Sequence, residues 1–460
     1  MLKILHTNDI HSNYENFAKV VTLIKKYADS DTIILDAGDF ADFKRLEVLG
    51  TRGCAANELL DYAGYDAMTV GNNETFNGKE TLSYMSSKST VPYLSANLYH
   101  EGLVEELEGL NRYVILEKVG KRFLIFGLSP NLNTFFELEG LEAKNYHRAI
   151  RDVLDQEEGS YDFCILLSHV GLVNDQEIAE KFDEIDIIIG GHSHDLMDEA
   201  EDVNGTLLHM SGHYGEHLGM MTIDINDDRL LLESAENISI KGVGADEGIV
   251  SLLKDNKERA IEYMSKPLYT IEEDLWHDVM EENPISNLLA DALYDLIDCD
   301  VAFINSGVIN GGIRKGVVND KKLLEICPSP LNPTYFEIQG KYLREAFELS
   351  MEADTCMADG QGPGFRGKYV GKLHISNGYI EYVDRKLIQI YIGNEVLQED
   401  RWYRVATSDY LHRGTGYQPL SNNRNVVYNL EFLRDTLRDY LCKPDFIIKS
   451  YRDRWIKLDK

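Results

Sequence analysis

The sequence contains no run of roughly 18 or more apolar residues, which excludes a membrane-spanning helix. It also contains no CxxC pair. Its six cysteines, Cys54, Cys164, Cys299, Cys327, Cys356 and Cys442, are scattered, so they are expected as reduced core thiols rather than a disulfide frame or a zinc knuckle. Positive charge is short: 46 basic side chains face 78 acidic ones, and a formal charge of −32 sets up a field that repels nucleic acid and anionic membranes. A small phosphorylated substrate stays compatible with that field, because a bound divalent ion would be the largest local charge in its own site. No internal repeat or low-complexity tract appears. No basic n-region, apolar h-region or cleavage site precedes the first strand, so a cytoplasmic location is expected.

What is present is 460 residues with 43% hydrophobic content, enough for two domains that each bury a core. Apolar runs predict strands over 3–7, 32–36, 67–70, 163–167 and 185–189, and helical spacing predicts helices over 14–28, 53–63 and 146–157. The segment 112–127 reads as a hairpin with Gly120-Lys121 at its turn. The runs 207–210, 219–225 and 230–240 then read as consecutive strands, as if closing one sheet. A charged amphipathic helix over 246–264 is the expected connector, which sets domains at 1–245 and 269–460 with a linker at 246–268. The second half carries predicted helices over 286–297, 341–351 and 431–441 and strands over 301–304 and 403–407. Its loops Gly360-Gln-Gly-Pro-Gly-Phe365 and Gly414-Thr-Gly-Tyr417 suit either close approach by a ligand or tight turns.

The chemistry gathers at strand ends. The polar residues that follow the first-domain strands are Asp9, His11, Asp39, Asn72, His169, His192 and His194. If those strands share a sheet pair, all seven converge on one edge. The set exceeds what one divalent ion needs, so it points to two ions, with Asp39 the bridging candidate. Imidazole mixed with carboxylate suits Mn, Zn, Fe, Co or Ni, and the all-oxygen set preferred by Mg or Ca is absent. Asp36 and Asp42 flank the site in supporting roles. His100, His147, His277 and His374 are read as solvated or capping side chains.

In this order, Asp9-x-His11, Gly38-Asp39, Gly71-Asn72, His169 and Gly191-His192-x-His194 resemble the calcineurin-like metallophosphoesterases. The opening His6-Thr-Asn-Asp-Ile-His11 is similar to the 5'-nucleotidase family. Pro284-Ile-Ser-Asn-Leu-Leu-Ala-Asp-Ala292, Val301-Ala-Phe-Ile-Asn-Ser-Gly307 and Tyr403-Arg-Val-Ala-Thr407 look like its C-terminal domain. Ile326-Cys-Pro-Ser-Pro-Leu-Asn-Pro333 and Gly364-Phe-Arg-Gly-Lys368 resemble a cytosolic bacterial branch described as metallophosphatase/5'-nucleotidase. The resemblance implies an α/β protein: an N-terminal four-layer α/β/β/α metallophosphoesterase sandwich and a second α/β domain that binds substrate. It implies one divalent ion on Asp9, His11, Asp39 and His194 and another on Asp39, Asn72, His169 and His192. It further implies hydrolysis of nucleotide-like phosphomonoesters by in-line attack of a bridging hydroxide.

Two departures from the family pattern bear on what is cut. Where the family reads Gly-Asn-His-Glu, this chain has Asn73, whose amide can donate a hydrogen bond to a phosphoryl oxygen but cannot supply a proton. His213, His217 and Glu74 are the nearby residues that could take over. In the C-terminal domain the phosphate-binding arginine falls on Asn310 in one register and on Arg314 in another. The two aromatics that sandwich the base correspond to Phe365 and Tyr410, and Thr415 stands where an acidic residue is common. A phosphodiesterase or pyrophosphohydrolase, acting on cyclic nucleotides or nucleotide sugars, is the alternative that Asn73 favours. A non-catalytic metal- or nucleotide-binding sensor is the alternative of another class.

Overall fold

The computed structural model describes every residue except 103–106, 227–228, 363 and 460, together with the side chains of 134 and 138. Position 363, in the glycine-rich loop, therefore lies outside the described residues. The chain divides into two compact units, Met1–Ile261 and Glu262–Lys460. The helix Glu247–Met264 runs through the division.

The first unit is built around two large sheets, with a small two-stranded sheet of 98–100 and 141–143 beside them. A seven-stranded sheet runs in the order 229–239, 217–226, 2–7, 32–36, 67–69, 93–94, 110–111, and a six-stranded sheet in the order 201–203, 206–209, 187–190, 163–168, 121–128, 113–118. Period-two alternation decides what each face meets. Ile4, Ile33 and Leu35 of one sheet share a core with Phe123, Ile125, Ile165, Leu167 and Ile189 of the other. The opposite face of the first sheet, through Leu5 and Ile34, packs under Phe17, Val20 and Val21 of helix Tyr14–Tyr27 and Leu59 of helix Cys54–Ala63. The opposite face of the second, through Leu124, Leu166 and Ile188, packs under Ile150 and Val153 of helix Tyr146–Gln156 and Ile178 of helix Leu172–Lys181. The layers are therefore helix, sheet, sheet, helix.

Two expectations need correction. The three late strands do not close one sheet: 206–209 joins the second sheet parallel to 187–190, whereas 217–226 and 229–239 join the first sheet antiparallel. The chain changes sheets between His209 and His217, so the intervening loop must cross the sandwich edge. The hairpin turns one residue earlier than read, on Val119 and Gly120, both at positive φ (49° and 71°). That pairing of two left-handed residues matches the twist of a two-residue hairpin.

The second unit centres on a five-stranded mixed sheet in the order 373–376, 301–305, 402–408, 333–339, 423–428. The buried helix Pro284–Leu296, with Asn283 accepting from the Ser286 N–H as its cap, covers one face. Four of the six cysteines are buried, but Cys442 is exposed and Cys54 half-buried, so those two are not core thiols; none is in a disulfide.

Candidate metal centre

The strands 2–7, 32–36 and 67–69 are parallel, with Thr7 opposite Asp36 and Asp36 opposite Met68. In the other sheet Ser168 lies opposite Gly190. The loops that follow therefore leave both sheets at one level, and they bend sharply. Asp9, His11, Asp39, His192 and His194 all hold left-handed φ values, 52°, 47°, 55°, 75° and 62°. Each such residue costs about 1–3 kcal/mol, which the surroundings must offset. The offset comes from backbone pairing between loops: Asp9 N–H donates to the Gly38 carbonyl (2.9 Å), His11 N–H to Asp39 (2.7 Å) and Ser12 N–H to Phe40 (3.0 Å).

Glu74 anchors the same turn from below. Fully buried, its carboxylate accepts from the backbone N–H groups of Asp39 (3.1 Å), Ala41 (2.8 Å) and Gly71 (2.9 Å). Burial and the nearby Asp39 charge push Glu74 up to about 8, against the three donors that favour its anion. Glycine is required where the loops touch. A Cβ on Gly71 would lie 2.1 Å from Asp39 Oδ1, and one on Gly38, at φ +90°, would lie 2.7 Å from His169 Nδ1.

Two clusters of donor atoms result, Asp9 with His11 and His194, and Asp9 with Asp39 and His169, each within 4.8 Å. Asp9 Oδ1 lies 3.3 Å from His194 Nε2, 3.6 Å from His11 Nε2 and 3.8 Å from His169 Nε2. Asp39 Oδ2 lies 3.4 Å from His169 Nε2 and 3.8 Å from His11 Nε2. Both carboxylates thus reach imidazoles of both clusters, where Asp39 alone was expected to bridge. The His192 ring packs edge-on against His169 at 5.1 Å, and its backbone N–H donates to Asp9. All seven residues singled out in the sequence lie on these adjoining loops.

The donor chemistry fits divalent ions. His169 Nδ1–H donates to the Ala37 carbonyl (2.6 Å), which directs Nε2 at the two carboxylates, and that buried nitrogen makes no well-formed hydrogen bond among the described residues. The buried Asn72 Oδ1 is likewise without a partner. Buried polar atoms are rarely left unpaired, and ligation satisfies both. Burial works against charge on Asp39, but attraction to His169 and His11 holds its carboxyl well below the usual range. Burial would also lower His169, yet Asp39 and Asp9 outweigh it and hold the imidazole up at about 10, so the ion-free ring carries a positive charge that a bound cation would replace.

Comparison with known proteins agrees. The family model described as calcineurin-like phosphoesterase matches residues 2–196, and that described as 5'-nucleotidase, C-terminal domain, matches residues 264–421. The chain belongs to the 5'-nucleotidase family. It is a metal-dependent phosphoester hydrolase, and the metals this family uses are divalent. The uncharacterized metallophosphoesterase YunD of Bacillus subtilis is 27% identical over 455 residues, spanning 95% of this chain and 98% of that protein. The 5'-nucleotidase of Vibrio vulnificus is 22% identical over 96% of this chain and 90% of its own length. Among solved structures, the NAD nucleotidase of Haemophilus influenzae shares the fold, with a TM-score of 0.66 at 16% identity over 100% of this chain and 99% of that one.

In this 5'-nucleotidase-family chain, Asn73 is turned inward. Its backbone N–H donates to Asp39 Oδ1 (2.8 Å) and its amide nitrogen lies 2.5 Å from His11 Nδ1. Glu74 is occupied by backbone donors and His217 begins the strand 217–226, leaving His213 as the member of that trio beside the centre. Its ring stacks on His194 at 4.9 Å, and the neighbouring Tyr214 ring meets His11 at 5.6 Å. Sequence reading missed Asn8, whose amide donates to Asp9 Oδ2 (2.8 Å) and to the Gly212 carbonyl (2.6 Å) while Ser211 N–H donates to its Oδ1. Asn8 thereby ties the sheet-crossing loop to the first strand. Its place directly before Asp9 was the available signal.

In the second unit, Phe365 and Tyr410 do not form a slot. Their rings stack on each other at 4.3 Å and 24°, with Phe365 6% and Tyr410 0% exposed. A base between them needs about 3.5 Å on each side, so about 7 Å in all. The cause is the glycine-rich loop: Gly360 and Gly367 close on the Phe365 ring so tightly that a Cβ would lie 2.0 Å and 2.7 Å from it. Asn310 is exposed, with its amide 3.5 Å from the carbonyl of Arg366, the residue after Phe365. Arg314 is exposed on the loop whose Ile313 pairs with Leu275. His374, read as solvated or capping, is instead fully buried between Asn283 and Asn287.

Proposed function

We propose that the chain hydrolyses nucleotide-like phosphomonoesters with two divalent ions held by Asp9, His11, Asp39, Asn72, His169, His192 and His194. The observation that carries this reading is the buried Nε2 of His169, directed between Asp9 and Asp39 while Nδ1–H is committed to the Ala37 carbonyl. When bound, such ions supply Lewis acidity that lowers the pKa of water and neutralises phosphoryl oxygens. The chain's own part is geometric. Glu74 fixes the Asp39 turn, Asn8 fixes Asp9, and the Ala37 carbonyl keeps the proton of His169 on Nδ1.

A second reading, phosphodiester or pyrophosphate cleavage, is favoured by Asn73. Its amide cannot protonate a leaving alkoxide, and its nitrogen is engaged by His11. The closed Phe365–Tyr410 stack adds that a nucleoside leaving group needs those rings to part or binds elsewhere. Release of phosphate from AMP, and of the aryl alcohol from an aryl phosphate and an aryl phosphodiester, in the presence of Mn2+ separates the readings. Turnover of AMP supports the first, turnover of the diester alone supports the second, and no turnover of any of them refutes both. Elemental analysis after loading is expected to give two ions per chain.

A further inference from the structure

Asn73 is 3% exposed and contacts two of the proposed metal-holding residues at once, Asp39 through its backbone N–H and His11 through its side chain. The remaining nitrogen of His11, Nε2, lies 3.0 Å from His194 Nε2 and faces Asp9 Oδ1 and Asp39 Oδ2. A neutral imidazole carries one proton, so the partner of Nδ1 decides what Nε2 can do. If Nδ1 accepts a hydrogen bond, Nε2 bears the proton and can donate to His194 or a carboxylate. If Nδ1 donates, the Nε2 lone pair is free to ligate. An amide serves both cases from one position, because a half-turn exchanges its N–H donor for its oxygen acceptor. Asn72 Nδ2–H donates to the other arm, Asn73 Oδ1 (3.3 Å), and the half-turn gives up that bond for a contact between two N–H groups, so the bound ion must drive it.

We propose that Asn73 is a positioning residue that sets the tautomer of His11: it presents N–H to Nδ1 in the ion-free protein and its oxygen to Nδ1 when an ion is held. This rests on the reading of His11 as a metal-holding residue. The substitution of histidine by asparagine in this chain then moves the position from acting on the phosphoryl group to tuning metal affinity. An aspartate there offers only acceptors and favours the ligating tautomer throughout; a leucine of similar size offers neither arm.

The test uses the full chain at pH 7.5, with Zn2+ as the probe. In unsubstituted protein carrying 15N-labelled histidine, the Nδ1 resonance of His11, assigned by its loss in His11→Gln, is expected to move from an unprotonated to a protonated position as Zn2+ is added. An Nδ1 that is protonated before and after overturns the proposal. Calorimetric titration supplies the second readout. Asn73→Leu is expected to weaken Zn2+ about 10–100-fold, and Asn73→Asp to match or exceed the parent affinity. With saturating metal the kcat of Asn73→Leu should recover to within about threefold. Unchanged affinity in Asn73→Leu, or a kcat that saturating metal does not restore, overturns the proposal, the latter by returning the amide to the phosphoryl group. Failure of the unsubstituted protein to bind Zn2+ overturns the metal reading as well, which distinguishes the two failures. Should Asn73→Leu not fold, the resonance experiment and Asn73→Asp still decide the outcome.

Discussion

Acidification should loosen the first unit through a pair of histidines that hold no metal. His6 lies on strand 2–7 and His209 on strand 206–209, one in each sheet, and both are fully buried. His209 Nε2 donates to the Met197 carbonyl (3.1 Å), so its Nδ1 accepts from His6 Nε2 (2.8 Å), and His6 Nδ1 is left as a bare, buried acceptor. The chain of bonds is complete only when both rings are neutral. A further proton places a charge in the core, and on His6 it would also create a donor with nothing to receive it. Burial accordingly pushes His209 down from 6.5 to about 4, and His6 moves in the same direction through burial and the adjacent His209. The sign follows from linkage. The unfolded chain takes up protons first as pH falls, so this contribution is complete above about 6.5 and is lost progressively below it. At about 1.4 kcal/mol per pH unit, His209 alone removes about 3 kcal/mol between pH 6.5 and 4. Urea unfolding at fixed metal concentration would be followed from pH 7.5 to 4.5 for the parent and for His209→Gln, whose amide can keep both hydrogen bonds without titrating. The variant should show a slope shallower by about 1 kcal/mol per pH unit. Parallel slopes would refute the assignment and place the acid sensitivity in the metal loops.

Three further outcomes follow from geometry already described. Gly71→Ala drives a Cβ to within 2.1 Å of Asp39 Oδ1, so turnover is expected to fall about 100-fold and stability by about 1–3 kcal/mol, read by phosphate release and urea midpoints. Glu74→Ala leaves three buried backbone N–H groups without an acceptor and should cost about 3–6 kcal/mol in the same unfolding assay, whereas a change below 1 kcal/mol would mean that water fills the gap. Tyr410→Phe removes a buried hydroxyl that has no hydrogen-bond partner among the described residues, so stability should stay level or rise by up to about 1 kcal/mol. A loss there would place an unseen partner on that hydroxyl.

The convergence of Asp9, His11, Asp39, His169 and His194 was readable because each residue follows a strand, and parallel strands deliver their ends to one place whatever the details of packing. Asp9 with His11 and His192 with His194 carry that information within three residues each. What was not readable depends on contacts distant in sequence. The change of sheet after His209 turns on whether strand 206–209 finds Ile187–Gly190 or Leu2–Thr7, and both are largely buried strands. The commitment of Asn73 to His11 joins residues 62 apart and has no local pattern. The Phe365–Tyr410 stack depends on how closely Gly360 and Gly367 close, and glycine spacing alone is compatible with an open loop or a collapsed one. Asn8 was hidden by its neighbour, since a motif that ends in Asp9 draws attention to the donor rather than to what holds it.

The left-handed backbone at Asp9, His11, Asp39, His192 and His194 has an evolutionary consequence. Conformationally these are glycine positions filled by the side chains proposed to hold metal, so at each one the residue that best suits the backbone is the residue that would remove a proposed ligand. A library selected only for thermal tolerance should therefore drift toward glycine at these positions, first at His192, where the side chain adds little but an edge-on ring contact. Persistence of all five under such selection would mean that bound metal is what stabilises the fold.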